Sequence, residues 1–252
     1  MKRATKTVVV LAAAIFSLAS ASAGAAILPV GIWHFNATSG TTVADVSGHH
    51  DEGTLEGGAS WAAGRFQGAV SLNGESAAVR IPASSTLEPA SITVSAWVNA
   101  TNPGSFRYIL AKGATGCIAA SYALYTGANG GLEFYVAGPQ GTSYGISPDA
   151  GPSIWNGQWH NVVGTYDGSS VRLYVDGQQV GAGTSDKTPI GYPAVSSNDL
   201  LIGNFPGCSE TGFSGRVDEV KLFDRALGAT EIKLGVGLSR LLPSFSPFDV
   251  VL

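Results

Sequence analysis

The sequence predicts an all-β chain folded as a two-sheet antiparallel sandwich. Three observations carry this. Short apolar runs alternate with period two, so each has one apolar and one polar face. Asn73-Gly74, Asp167-Gly168 and Asp176-Gly177 fall between such runs, and pairs of this kind adopt the positive φ angles of tight hairpins. No amphipathic helical pattern appears until the end of the chain.

The elements follow in chain order. Lys2, Arg3 and Lys6 precede an uncharged apolar run at 8–18, and the small residues of "SASAGAA" come next. That order reads as a secretory signal peptide over 1–25, cleaved near Ala23 to Ala26. The apolar run is too short for a stable membrane span. Residues 26–235 suit one domain, because a single all-β sandwich often reaches that size. In "SITVSAWVNA", Ile92, Val94, Ala96 and Val98 share one face, and Thr93, Ser95 and Trp97 share the other. "SVRLYVDGQQVG" alternates likewise and then turns at Asp176-Gly177. Further strands are expected at 77–81, 108–112, 122–125, 131–137, 160–166, 200–203 and 217–223. Residues 227–234 read as one short helix with Thr230 as a cap near its start. Residues 236–252, with two prolines and no clear period, read as a C-terminal tail.

Bulk properties narrow the function. Charged residues are 13% and the net charge is −4, which argues against nucleic acid or an anionic membrane as partner. A neutral glycan or an extracellular protein fits better. Cys117 and Cys208 are the two cysteines. Export favours a disulfide between them, and two free thiols are the alternative.

Several stretches now resemble a known family in order. They are Trp33-His34-Phe35, Asp45 with Ser47-Gly48, Gly64 with Gly68-Ala69, and Asn73-Gly74, then "ITVSAWV", "WHNVVGTYDGSSVRLYVDG", "LLIGN" and "FSGRVDEVKLFDRALGATEI". This set resembles laminin G-like jelly-roll domains of the concanavalin A-like lectin/glucanase superfamily. The resemblance implies a jelly-roll sandwich with one convex and one concave sheet. It also implies a structural calcium ion on the convex side. Asp218 would be its side-chain ligand, and carbonyls from the first strand and from the Asn73-Gly74 hairpin would complete the shell. Calcium accepts such irregular oxygen sets. Asp45 is a second candidate. Without calcium, Arg216 would be the partner of Asp218.

That proposal answers an oddity in the strand "GRVDEVKLF". Asp218 and Glu219 are adjacent there, and charge suits a strand poorly unless it is paired. Regular alternation puts Asp218 with Val220 and Leu222 on the inward face and leaves Glu219 with Lys221 in solvent. The two acids would then point apart and could not flank one glycosidic bond.

No enzyme motif appears. The resemblance implies a Glu-x-Asp-x-x-Glu strand for the hydrolases of this superfamily, and the chain lacks it. Asp51, Glu52 and Glu56 in "DEGTLE" have another spacing and read as a Gly-rich connection. "HHDE" at 49–52 reads as a polar loop, because consecutive ligands converge poorly on a metal. Gly-x-Ser-x-Gly, His-Glu-x-x-His and a phosphate loop are absent. Sugar recognition uses flat rings with a few polar groups. Strand aromatics are mostly expected in the core, so Tyr144, Trp155 and Trp97 are the ligand candidates. The expected function is a secreted, non-catalytic carbohydrate-binding or adhesion module. The alternatives are a structural or protein-interaction domain and, behind both, a divergent glycoside hydrolase.

Overall fold

The computed structural model describes residues 28–114, 116–141, 143–192 and 198–241. The expected signal peptide and the last part of the expected tail lie outside these residues. The strands are β1 (Gly31–Trp33), β2 (Thr42–Val43), β3 (Gly53–Glu56), β4 (Ser60–Phe66), β5 (Gly68–Asn73), β6 (Ala78–Ile81), β7 (Ile92–Asn99), β8 (Tyr108–Lys112) and β9 (Tyr122–Thr126). They continue as β10 (Leu132–Ala137), β11 (Tyr144–Ile146), β12 (His160–Tyr166), β13 (Ser170–Val175), β14 (Gln178–Gln179), β15 (Thr184–Ser185), β16 (Leu200–Ile202) and β17 (Ser214–Phe223), before α1 (Ala229–Leu241).

They form two antiparallel sheets. The first runs β14-β13-β12-β7-β17-β5-β4, with β1 also on β17 and β15 also on β13. The second runs β11-β10-β9-β8-β16-β6-β3-β2. This is the jelly-roll sandwich the sequence predicts. Inward residues of both sheets meet in one core, where Trp33, Val94, Phe134, Val162, Leu173 and Val220 are fully buried. The Asp176-Gly177 turn has φ angles of 52° and 80°, the positive pair that a two-residue hairpin needs.

Two boundaries differ from expectation. "DEGTLE" is not a connection: its last four residues are β3, where Glu56 makes a two-oxygen contact with Nε of Arg80 at 2.9 and 3.0 Å. The helix starts at Ala229 and runs on into the expected tail, to Leu241. Thr230 does not mark its start. Glu231 holds it instead, accepting the Gly228 amide at 2.8 Å and pairing with Arg225 at 2.6 Å, as an acid at the third helical position can.

Candidate functional site: an aromatic cleft

Alternation gives the second sheet an outer face that the core does not use. In β10, Leu132, Phe134 and Val136 point into the core, so Glu133, Tyr135 and Ala137 point out. In β9, Tyr122 and Leu124 point in, and Ala123 and Tyr125 point out. Tyr108 of β8 joins the outward group. The rings form a continuous run. Phe205 stacks on Tyr108 at 4.7 Å, Tyr108 lies 5.5 Å from Tyr125, Tyr125 meets Tyr135 edge-on at 5.0 Å, and Tyr135 meets Tyr144 edge-on at 6.1 Å.

These rings line a cleft of about 380 Å³. Tyr144 is 38% exposed at its mouth, beside exposed Phe106 and Ile118. Cys117 and Cys208 are joined by a disulfide with Cα atoms 5.0 Å apart, and the bridge forms part of the cleft wall. It spans 91 residues of sequence, a closure worth up to about 4–5 kcal/mol in the chain-entropy account. Polar groups are few. Tyr125 donates its hydroxyl proton to Glu133 at 2.6 Å. The Ala120 amide donates to the Tyr135 hydroxyl at 2.9 Å. Burial raises the pKa of the hydroxyls of Tyr108, Tyr125, Tyr135 and Tyr144 above the ordinary tyrosine value, so the cleft presents neutral hydroxyls. Burial also raises the Glu133 carboxyl; its bond from Tyr125 opposes the shift and the nearby Asp149 charge adds to it.

Of the three expected ligand residues, the structure puts only Tyr144 in this cleft. Trp155 is 7% exposed, lies in the core against Phe213, and donates its indole N–H to Gly130 at 2.7 Å. Trp97 does point away from the core, as the alternation requires, but it is 3% exposed. The β4–β5 turn covers it, with Phe66 edge-on at 5.8 Å and the Arg65 guanidinium over its ring at 5.2 Å. Tyr108, Tyr125 and Tyr135 were the residues that sequence reasoning left in the core. The signal was present for two of them: in "YALYT" and "LEFYVA", Tyr125 and Tyr135 occupy the face opposite the larger apolar residues, whereas an irregularity between Tyr108 and Leu110 hides the face of Tyr108.

The acid pair also differs from expectation. Val217, Val220 and Leu222 all belong to the core, whereas Asp218, Glu219 and Lys221 do not. A bulge between Asp218 and Lys221, with Glu219 at φ 53°, inserts one extra residue. Such a bulge resets the alternation and turns both acids to the same outer side. Neither is in solvent, at 0% and 3% exposure, so no substrate reaches them. Glu219 contacts Nδ1 of His34 at 2.8 Å and lies 3.7 Å from Nζ of Lys221. Asp218 Oδ2 accepts the amides of Arg65 and Phe66 at 2.8 and 2.9 Å. This explains Gly64, whose missing Cβ would lie 1.9 Å from the Gly68 carbonyl and 2.7 Å from Asp218 Oδ2. Arg216 does not pair with Asp218. It donates to Asn99 Oδ1 at 3.1 Å and to the Ala63 carbonyl at 3.0 Å.

The expected calcium ligands do not come together. Across the β5–β17 ladder Asn73 faces Ser214, so it lies four residues, roughly 13 Å, from the position of Asp218. Asn73 Oδ1 already accepts the amides of Glu75 and Ala77, and Gly74 donates its amide to Phe213. Asp45 is spent as well: its two oxygens accept from the Ile32, Ser47 and Asp51 amides and the Ser47 hydroxyl. Amide and hydroxyl donors around a carboxylate occupy the lone pairs that calcium would need. Of the three expected ligand side chains, Asp218 alone has an oxygen, Oδ1, that is buried without a hydrogen-bond partner among the described residues. No group of three metal-ligating side chains converges among the described residues, at "HHDE" or elsewhere.

Comparison with known proteins agrees with this fold. Domain 4 of the GH43 extracellular arabinanase AbnA from Geobacillus stearothermophilus, solved with arabinotriose, is 17% identical, with a TM-score of 0.63, 82% of this chain covered and 98% of that one. The binding domain of botulinum neurotoxin DC, solved with rat synaptotagmin II, is 14% identical, with a TM-score of 0.64 and coverage of 84% and 51%. The binding domain of Paraclostridial Mosquitocidal Protein 1 is 16% identical, with a TM-score of 0.58 and coverage of 82% and 51%. This chain thus spans about half the length of both toxin binding domains. Among curated proteins, none matches in sequence. A laminin G-like profile described as the concanavalin A-like lectin/glucanases superfamily matches residues 73–233, and the chain belongs to that family.

Proposed function

We propose that this chain is a secreted, non-catalytic binding module that takes a carbohydrate in the aromatic cleft. The observation that carries the reading is the ring run from Phe205 to Tyr144, left open to solvent at its Tyr144 end. Sugar rings have apolar faces and hydroxylated edges, which match aromatic planes fringed with neutral hydroxyls. Among the described residues the cleft lining contains no carboxylate or imidazole, which supports binding rather than hydrolysis. The extracellular setting rests on the leader-like N-terminus and the disulfide. A protein ligand is the second reading, because Phe106 and Ile118 add exposed apolar area at the mouth.

A glycan array on the mature protein tests this. Saturable binding to at least one neutral glycan is expected. Tyr144→Ala should weaken it by at least about tenfold, with the melting curve nearly unchanged because the side chain sits at the mouth. Binding that persists in Tyr144→Ala would place the ligand elsewhere. Absence of any glycan binding would favour a protein partner.

A further inference from the structure

One hydroxyl of the cleft is fixed in direction. Tyr125 gives its only hydroxyl proton to Glu133 at 2.6 Å, so toward the cleft it offers a lone pair and no donor. Glu133 has an acidic neighbour. The Asp149 charge acts on it, and Asp149 Oδ1 is occupied by the Gly151 amide at 2.7 Å. Both acids are packed against the ends of the β9–β10 hairpin. Glu133 fills the space beside Gly127, and Asp149 fills the space a side chain at Gly131 would take. Among the described residues no cationic side chain lines the cleft. Arg107, next to the lining residues Phe106 and Tyr108, turns to the Glu210 carbonyl. A ligand over Tyr125 therefore meets an acceptor backed by two carboxylates.

A neutral hydroxyl can donate to that acceptor. A carboxylate cannot, and it is also repelled, because like charges across a poorly solvated contact are strongly disfavoured. We infer that the cleft selects uncharged sugar residues and rejects acidic sugars of the uronate type, with Glu133 as the positioning residue that sets this choice through Tyr125. The inference rests on the carbohydrate reading above and adds the class of sugar. Glu133 itself lies behind Tyr125 and outside the lining.

The test uses the full mature chain and matched ligands: neutral gluco-, manno- and galacto-oligosaccharides and their C6-carboxylate counterparts, at one fixed ionic strength. The readout is the ratio of neutral to uronate affinity. In the wild type the neutral member should bind at least about tenfold tighter. In Glu133→Gln that ratio should fall severalfold. A merely structural role for Glu133 would weaken both ligands together and leave the ratio unchanged. If Glu133→Gln does not fold, Asp149→Asn removes the second charge without touching Tyr125 and should lower the ratio in the same direction. Equal wild-type affinity for both members overturns the selectivity and leaves the carbohydrate reading standing. An unchanged ratio in the folded variants overturns the role of Glu133. No binding of any oligosaccharide overturns the carbohydrate reading and this inference with it.

Discussion

The two outer faces of the sandwich come from the same alternation and have opposite fates. On the first sheet, Trp97, Asp218, Glu219 and Lys221 point away from the core and are still buried, each at 3% exposure or less. The β4–β5 turn covers Trp97 and Asp218. Elsewhere on that face, α1 brings Ile232 against Val163, Tyr174 and Phe223. On the second sheet, Tyr108, Tyr125 and Tyr135 also point outward and are themselves buried, at 8%, 7% and 3% exposure, but they line a cleft whose rim reaches solvent at Tyr144 and Phe106. A covered face must satisfy its charges internally, because an unpaired buried charge is costly. An open face can keep polar and aromatic groups available for a ligand. The proposed binding site thus rests on which face is covered, not on which residues are polar.

The largest effect that would break this contrast is on stability. Trp97→Ala removes a ring enclosed by Phe66 and Arg65 and should cost about 3–5 kcal/mol, the range for large aromatic truncations. Tyr144→Ala should cost less than about 1 kcal/mol, as exposed substitutions do. Chemical denaturation of both variants checks the difference. Equal losses would mean that the faces are not distinguished by cover.

The second effect is a pH dependence at the covered face. Burial pushes Asp218 up to about 8, opposed by the Phe66 amide and helped by the Glu219 charge. A carboxyl raised in the folded state stabilises most when protonated. Its contribution is full below the unfolded value near 3.8 and is lost as pH rises through about 8. The loss is at most about 1.4 kcal/mol per pH unit. Melting curves of wild type and Asp218→Asn should therefore diverge between pH 5 and pH 8, with wild type losing more. Parallel curves would show that the covered face is well hydrated.

Much of the fold was legible in the sequence. Tyr108–Lys112 and His160–Tyr166 are strands at the expected bounds, because short runs bounded by turn residues specify a strand even where they do not specify its faces. The disulfide was legible from two cysteines behind a leader-like N-terminus. What failed did so for local or long-range reasons. The bulge at Glu219 inserts one residue that leaves no trace in an apolar count, so Asp218 was assigned the wrong face. Trp97 was assigned the right face, but its cover comes from a turn some 30 residues earlier, and alternation says nothing about such cover. Trp155 looked like a loop aromatic, yet its indole reaches Gly130 across the chain. The cleft was missed because tyrosines in strands suit a core and an open face equally well, and only the lack of a lid decides between them.

The smallest expected effect concerns calcium, and it sharpens the contrast on the covered side. A cation held by the folded state alone raises stability with concentration, by RT ln(1 + [L]/Kd). Several side-chain oxygens that a calcium site could use accept hydrogen bonds instead. Asn73 Oδ1 closes its own hairpin through two amides. Asp45 organises the segment after β1 through four donors. Asp218 has a single unengaged oxygen, next to an amide-bound one and beneath the Arg65–Phe66 turn. Calcium takes six to eight ligands, and the hairpin carbonyls expected to complete them lie opposite Ser214, four residues along the strand from Asp218. Melting curves in chelator and in millimolar calcium should therefore coincide for wild type. A rise with calcium that disappears in Asp218→Ala would mean that the β4–β5 turn opens to admit the ion, and that the covered face is a binding face after all.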